Sequence, residues 1–251
     1  MWKIVGVLGV IGLLTFLIPI RADENAKLGE VVARAIEVHG GIDNLKKFKA
    51  SVSKSKGKYH GLGEAIDYTA ETSLQLPNRL RTEVQSKVGD REFTFLQILD
   101  GKKGWTKLGG NTEEIDEDKL AEAKEQMNVA TITHLACLHD KDYKLSPLGE
   151  VKVGERAAIG VRVEYKGYRD VNLFFDKDKS LLLKMETRGK DLMAGGEEYT
   201  GTTLYGEYKK VEGIMVAHKV TIEHDGKPFV DGQIIEVKLA EKLDDSVFEK
   251  P

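Results

Sequence analysis

The sequence predicts an α+β fold, a curled antiparallel sheet of about eleven strands with a few helices laid against it as a lid. Three observations predict it. From Ala50 onward most segments alternate apolar and polar side chains with period two, as strands with one apolar and one wet face do. Tight-turn signals such as Pro77-Asn78, Gly89-Asp90 and Asp100-Gly101 join those segments, so sequence neighbours pair antiparallel. Helical periodicity is confined to the first fifty residues and to one mid-chain stretch.

Taken in order, Asp23 to Val38 reads as a helix with Leu28, Val31, Val32, Ala35 and Ile36 on one face, ended by His39-Gly40-Gly41. His39 in its last turn reads as a partner for the helix dipole. A short helix, Ile42 to Phe48, follows. Ala65 to Leu76, Arg79 to Val88, Arg91 to Leu99 and the stretch around Trp105 form a meander. Asp116 to about Leu138 reads as a helix whose first half is amphipathic and whose second half is apolar all round. Such a helix must be covered, either against the sheet or as the plug of a hollow. Strands resume at Tyr143 to Val153, Arg156 to Tyr165, Asp170 to Asp176 and Leu181 to Arg188. The last quarter, Tyr199 to Pro251, reads as three long strands and a short tail. No linker divides the chain, which predicts one domain over residues 23–251.

Residues 1–22 read as a secretory signal. Lys3 supplies a positive charge, Ile4 to Ile20 is uncharged and apolar, and Ala22 offers a small residue before the cut. The apolar run of 17 residues is short for a bilayer span. The expected address is the periplasm or the extracellular space. Removing that segment takes away two basic residues and no acid, leaving 36 basic against 41 acidic side chains, net −5. That balance excludes a nucleic-acid partner, which calls for a basic stripe. The lone Cys137 cannot form an internal disulfide, so the core alone must hold the fold.

The sequence carries no G-x-S-x-G elbow, H-E-x-x-H helix or phosphate loop, and no catalytic residue, cofactor or metal site is assigned. Gly101-Lys102-Lys103-Gly104 lies between strands and lacks the helix N-terminus a phosphate loop needs. His134 and Cys137 would share a helical face, with His139 at the helix end. Those three are the best metal candidates, but a buried cysteine ordinarily behaves as a small apolar side chain. Asp176, Asp178 and Ser180 begin like a calcium loop and lack its later glycine and glutamate.

The apolar strand faces remain. Ile66, Tyr68, Leu80, Val84, Phe93, Phe95, Val161, Val163, Leu173, Phe175, Leu183, Met185, Tyr205, Val216, Val220, Ile235 and Val237 are expected to line one concave surface, with Tyr199 beside them. A sheet this wide curls, and two or three short helices are a thin cover for it. The expected result is a hollow, or a core filled by side chains.

Two stretches resemble the LolA/LolB-like superfamily of periplasmic lipoprotein carriers and lipid-binding proteins. One is Tyr205-Gly206-Glu207-Tyr208-Lys209-Lys210-Val211-Glu212-Gly213-Ile214-Met215-Val216-Ala217-His218. The other is the ending Leu243 to Pro251, and the early Gly40-Gly41 adds to the likeness. The resemblance implies an incomplete β-barrel with helices as a lid, whose interior accommodates acyl chains. It points to a non-enzymatic, exported carrier or binding protein for a lipid, a lipoprotein acyl chain or another hydrophobic ligand, with a membrane-associated protein partner. The alternative is an interaction module with a filled core that holds a protein partner.

Overall fold

A computed structural model describes residues 20–192 and 195–251, with side chains from Lys27 onward. Most of the expected signal segment lies outside the described residues. Helix α1 (Ile20–His39) and helix α2 (Ile42–Lys47) lead into strands β1 (Ala50–Leu62), β2 (Glu64–Gln75), β3 (Arg79–Val88), β4 (Arg91–Leu99), β5 (Gly104–Leu108) and β6 (Asn111–Glu114). Helix α3 (Glu117–Thr133) and a 3₁₀ turn (Ala136–His139) come next. Then follow β7 (Tyr143–Val153), β8 (Arg156–Tyr165), β9 (Val171–Asp176), β10 (Leu182–Asp191) and β11 (Glu197–Gly206). The chain closes with β12 (Lys209–Val211), β13 (Ile214–Val216), β14 (Lys219–His224), β15 (Lys227–Ala240) and a 3₁₀ turn (Asp245–Phe248).

Among the described residues, thirteen strands form one open antiparallel sheet in the order β6-β5-β4-β3-β2-β1-β15-β14-β11-β10-β9-β8-β7. Two meanders therefore meet at the pairing of β1 with β15, the first strand with the last. The sheet exceeds the expected eleven strands by β1 and by short β6, which closes the first meander, while β12 and β13 form a separate hairpin outside it. That hairpin turns through Glu212 (φ 46°) and Gly213 (φ 91°), positive at both central residues as a type I′ turn requires.

The helices cover the inner face of the sheet unevenly. Leu28, Val32, Ala35 and Ile36 of α1 pack with Ile132, Leu135 and Leu138 against Val161, Val163, Val171, Leu173, Phe175, Leu182 and Met185, so the β8–β10 half is solid. Ala123 and Met127 of α3 pack with Ile115 and Leu99, flanked by Leu74, Leu76, Leu80 and Leu120. Helix α3 thus spans both halves of the curl. Its amino end is held by Glu122, which makes a bidentate ion pair with Arg169 at 2.7 and 2.9 Å and accepts from Lys190 N–H at 3.3 Å. Asp116 caps it by accepting from Lys119 N–H at 2.9 Å.

The second half of the expected long helix differs. The α-helix ends at Thr133, and Leu135 takes a left-handed φ of 69° before the 3₁₀ turn. Burial of Leu135, Cys137 and Leu138 in the main core drives that break, which no glycine or proline signals. On the outer face, the tail residues Leu243, Val247 and Phe248 pack over Leu96, Ile98 and Trp105.

Candidate ligand-binding cavity

Strand β1 is small and polar on its inner face. Register with β2 places Ser51 opposite Leu74, Ser53 opposite Thr72, Ser55 opposite Ala70 and Gly57 opposite Tyr68. On its other side Ser51 faces Leu239 and Ser53 faces Val237. Short side chains at the centre of a curled sheet leave volume that larger ones would fill. A cavity of about 370 Å³ lies over the Ser51 and Ser53 end of that face. Its floor is Ala50, Ser51, Ser53, Thr72, Leu74, Val220, Tyr205, Ile234, Val237 and Leu239. Its cover is Leu45, Phe48, Ala130, Thr133, His134 and the β12–β13 residues Ile214, Met215 and Val216.

The cover is fixed by backbone contact. Gly40 (φ 134°) lies so close under the hairpin that a Cβ there would stand 2.9 Å from Gly213 O and 3.1 Å from Ile214 Cα. Asn44 Nδ2 donates to Gly40 O at 2.8 Å and also flanks Gly213. The glycine pair after α1 and the Tyr208–Gly213 turn, far apart in sequence, are two sides of one joint. Tyr208 Oη donates to Leu182 O at 2.6 Å and ties the same hairpin to β10.

The walls are uncharged apart from one lysine. His39 Nδ1 meets Ala35 O at 2.7 Å and its Nε2 meets Leu182 N–H at 3.4 Å. A carbonyl only accepts and an amide N–H only donates, so the ring is neutral with its proton on Nδ1. It does bond a last-turn carbonyl of α1, but as a neutral ring rather than a cation. Burial lowers its pKa below the usual histidine value, and burial does the same for His134, whose Nε2 bonds Phe48 O at 3.0 Å. Burial pushes the Tyr205 and Tyr208 phenols well above their usual range. Among the described lining residues, Lys49 alone carries charge.

The expected concave residues separate into four groups. Tyr205, Val216, Val220 and Val237 line the cavity. Val161, Val163, Leu173, Phe175 and Met185 sit on the inner face but are packed solid under α1 and α3, and Leu80 packs beside α3. Ile66, Tyr68, Val84, Phe93 and Phe95 share the inner face by register but lie beyond the cover, Phe93 and Phe95 being exposed. Two expectations are wrong. Leu183 packs on the outer face with Ala158 and Phe174, and Ile235 is exposed on the outer face beside Lys54 and Glu71. Both lie at bulges. The β9–β10 register shifts between Leu182 and Lys184, and the β1–β15 register shifts at Lys54/Ser55, so one extra residue turns each side chain to the other face. Leu182 and Ile234 take their places inside.

The residues that sequence reasoning missed are chiefly Lys49, Ser51, Ser53 and Thr72, whose polar character reads as solvent-facing. Tyr199 stands at the open end of the curl, stacked on His224 at 3.8 Å, with Phe229 on the other side of that ring at 3.7 Å. The His134, Cys137 and His139 arrangement fails as a metal site because the helix ends before it. His134 bonds a backbone carbonyl, the Cys137 thiol donates to Thr131 O, and the described residues hold no cluster of three metal-ligating side chains.

No family model and no curated protein matches the chain in sequence. Solved structures do match it in fold. A LolA superfamily protein from Nitrosomonas europaea superposes with a TM-score of 0.57 at 13% identity, over 89% of this chain and 97% of that one. A DUF1329 family protein from Desulfovibrio piger gives 0.56 at 12% identity, over 88% and 97%. A domain from Vibrio parahaemolyticus described by outer membrane lipoprotein sorting gives 0.54 at 12% identity, over 90% and 97%. The fold is LolA-like.

Proposed function

We propose that the chain is an exported, non-enzymatic binding or carrier protein that holds an acyl chain or similar apolar ligand between β1, β14, β15 and the cover made by α2, α3 and the β12–β13 hairpin. The observation that carries this reading is the cavity of about 370 Å³, walled mostly by aliphatic and aromatic groups and roofed by an element outside the main sheet. That volume falls within the roughly 300–1,000 Å³ of small-molecule sites. Affinity would come from apolar burial, about 0.8 kcal/mol for each methylene. The LolA-like fold of the neighbours, one of them described by lipoprotein sorting, supports the same class of ligand.

The reading includes a signal over residues 1–22, cut after Ala22, and a single domain over 23–251. Organic extraction and native mass spectrometry of the secreted protein test it. The expected result is a co-purifying lipid that is absent when Val220→Trp fills the cavity. Consistent absence of ligand in the wild type, with no uptake of an added acyl probe, would refute it.

A second reading, a module that docks a protein partner, draws on one observation. Val84, Phe95 and Leu108 stand in one cross-strand row on the inner face, and Phe95 and Leu108 are exposed. It predicts that Phe95→Asp abolishes cellular function while Val220→Trp leaves it intact.

A further inference from the structure

The cavity has a polar edge as well as an apolar body. Lys49, Ser51 and Ser53 alternate along the entry of β1, so all three belong to the surface that faces the cover, and Thr72 stands opposite Ser53. Across from them are Thr133 and His134 at the end of α3. Thr133 is already bonded to Val129 O and Ala130 O, and His134 to Phe48 O. The hydroxyls of Ser51 and Ser53 and the ammonium of Lys49 have no side-chain partner among the described residues. Lys47, two residues away, is by contrast paired with Glu241. Lys49 and His134 both line this edge of the cavity.

An apolar pocket whose one charged lining residue is an unpaired cation, flanked by free hydroxyls, discriminates among amphiphiles. A neutral head group would gain only the hydroxyls. An anionic one would gain charge-assisted hydrogen bonds from Lys49 as well. We infer that the cavity selects single-chain amphiphiles with an anionic head group, a carboxylate or a phosphate monoester, held at Lys49 with the chain directed toward Val220 and Tyr205. The inference rests on the ligand-binding reading above and adds the head-group class and the orientation to it.

The test is displacement of the neutral probe N-phenyl-1-naphthylamine by laurate, dodecyl phosphate and monolaurin, three amphiphiles of equal or near-equal chain length. The wild type is expected to bind one or both anions about fivefold tighter than monolaurin at low salt, the size of a partly exposed charge contact. Laurate against dodecyl phosphate then distinguishes carboxylate from phosphate. Lys49→Gln is expected to erase the preference and Lys49→Glu to invert it. Lys49 is exposed and makes no ion pair or side-chain hydrogen bond among the described residues, so both variants are expected to fold. Equal affinity for all three amphiphiles, or a preference that survives Lys49→Gln, would overturn the head-group inference while leaving the binding reading intact. Displacement by none of them would overturn both.

Discussion

Replacing Ser53 by Leu separates a hollow interior from a filled one by the sign of its effect on stability. Ser53 is half-buried, faces Val237 and Thr72 across the floor of the cavity, and makes no side-chain hydrogen bond among the described residues. Leucine adds about three carbons, worth together about 2.4 kcal/mol if fully buried at about 0.8 kcal/mol each. Ordering its side chain costs roughly 0.5–1 kcal/mol, and incomplete burial trims the gain further, leaving about 1 kcal/mol of stabilisation. In a protein of this size that raises Tm by about 2–4 °C. In a tightly packed core the same change would be destabilising by about 1–3 kcal/mol. Differential scanning calorimetry of the delipidated protein reads the sign directly. The variant should also lose affinity for an acyl probe, because the added carbons occupy ligand volume. A lowered Tm with unchanged probe binding would refute the cavity as the site.

Four further outcomes follow from the geometry. Glu122→Gln breaks the ion pair that anchors α3, which is nearly buried at the glutamate and about a quarter exposed at Arg169; the expected loss is about 2 kcal/mol in urea unfolding, against near-neutrality for a paired Glu122→Met, Arg169→Met replacement. Gly40→Ala should cost about 2–3 kcal/mol and speed ligand exchange, because its Cβ meets backbone of the cover, whereas Gly41→Ala, at φ 80° and ψ 155°, should cost about 1–3 kcal/mol in backbone strain but leave ligand exchange unchanged, since its Cβ meets only the end of Glu37 at 3.7 Å. His39 and His134 have pKa values lowered by burial, so the unfolded chain binds more protons. Their contribution is therefore complete above about pH 6.5 and is lost as the pH falls below it, a decline in Tm that His39→Gln with His134→Gln should flatten. The Cys137 thiol, pushed up to about 12 by burial, should resist alkylation at pH 8 in the folded protein and react at the rate of unfolding.

The architecture was legible because its signals are local. Turn pairs such as Asp100-Gly101 and period-two alternation mark strands one at a time, and strands joined by tight turns can only pair with their neighbours. The pairing of β1 with β15 has no such signal, since nothing near Ala50 or Ala240 in sequence indicates the other. The side-chain faces were legible only as far as the alternation ran unbroken. At Leu183 and Ile235 a bulge adds one residue, and the pattern of alternating side chains continues in sequence while its meaning reverses in space. Those two residues are as apolar as Leu182 and Ile234 beside them, so composition could not choose between adjacent members of each pair.

The cavity itself was hidden for a different reason. Apolarity marks the residues that fill a core, and here the most apolar inner positions, Val161, Leu173 and Phe175, are the ones packed solid under α1. Space remains instead where the inner face is Ser51 and Ser53, which in isolation read as a wet surface. Their position on a central strand, flanked by Leu74 on one side and Val237 and Leu239 on the other, turns the same residues into the floor of a hollow. Ser51 and Ser53 leave that floor open because they are too short to fill it, and if the cavity takes an anionic amphiphile, Lys49 at the head of the strand is where its charge would be read.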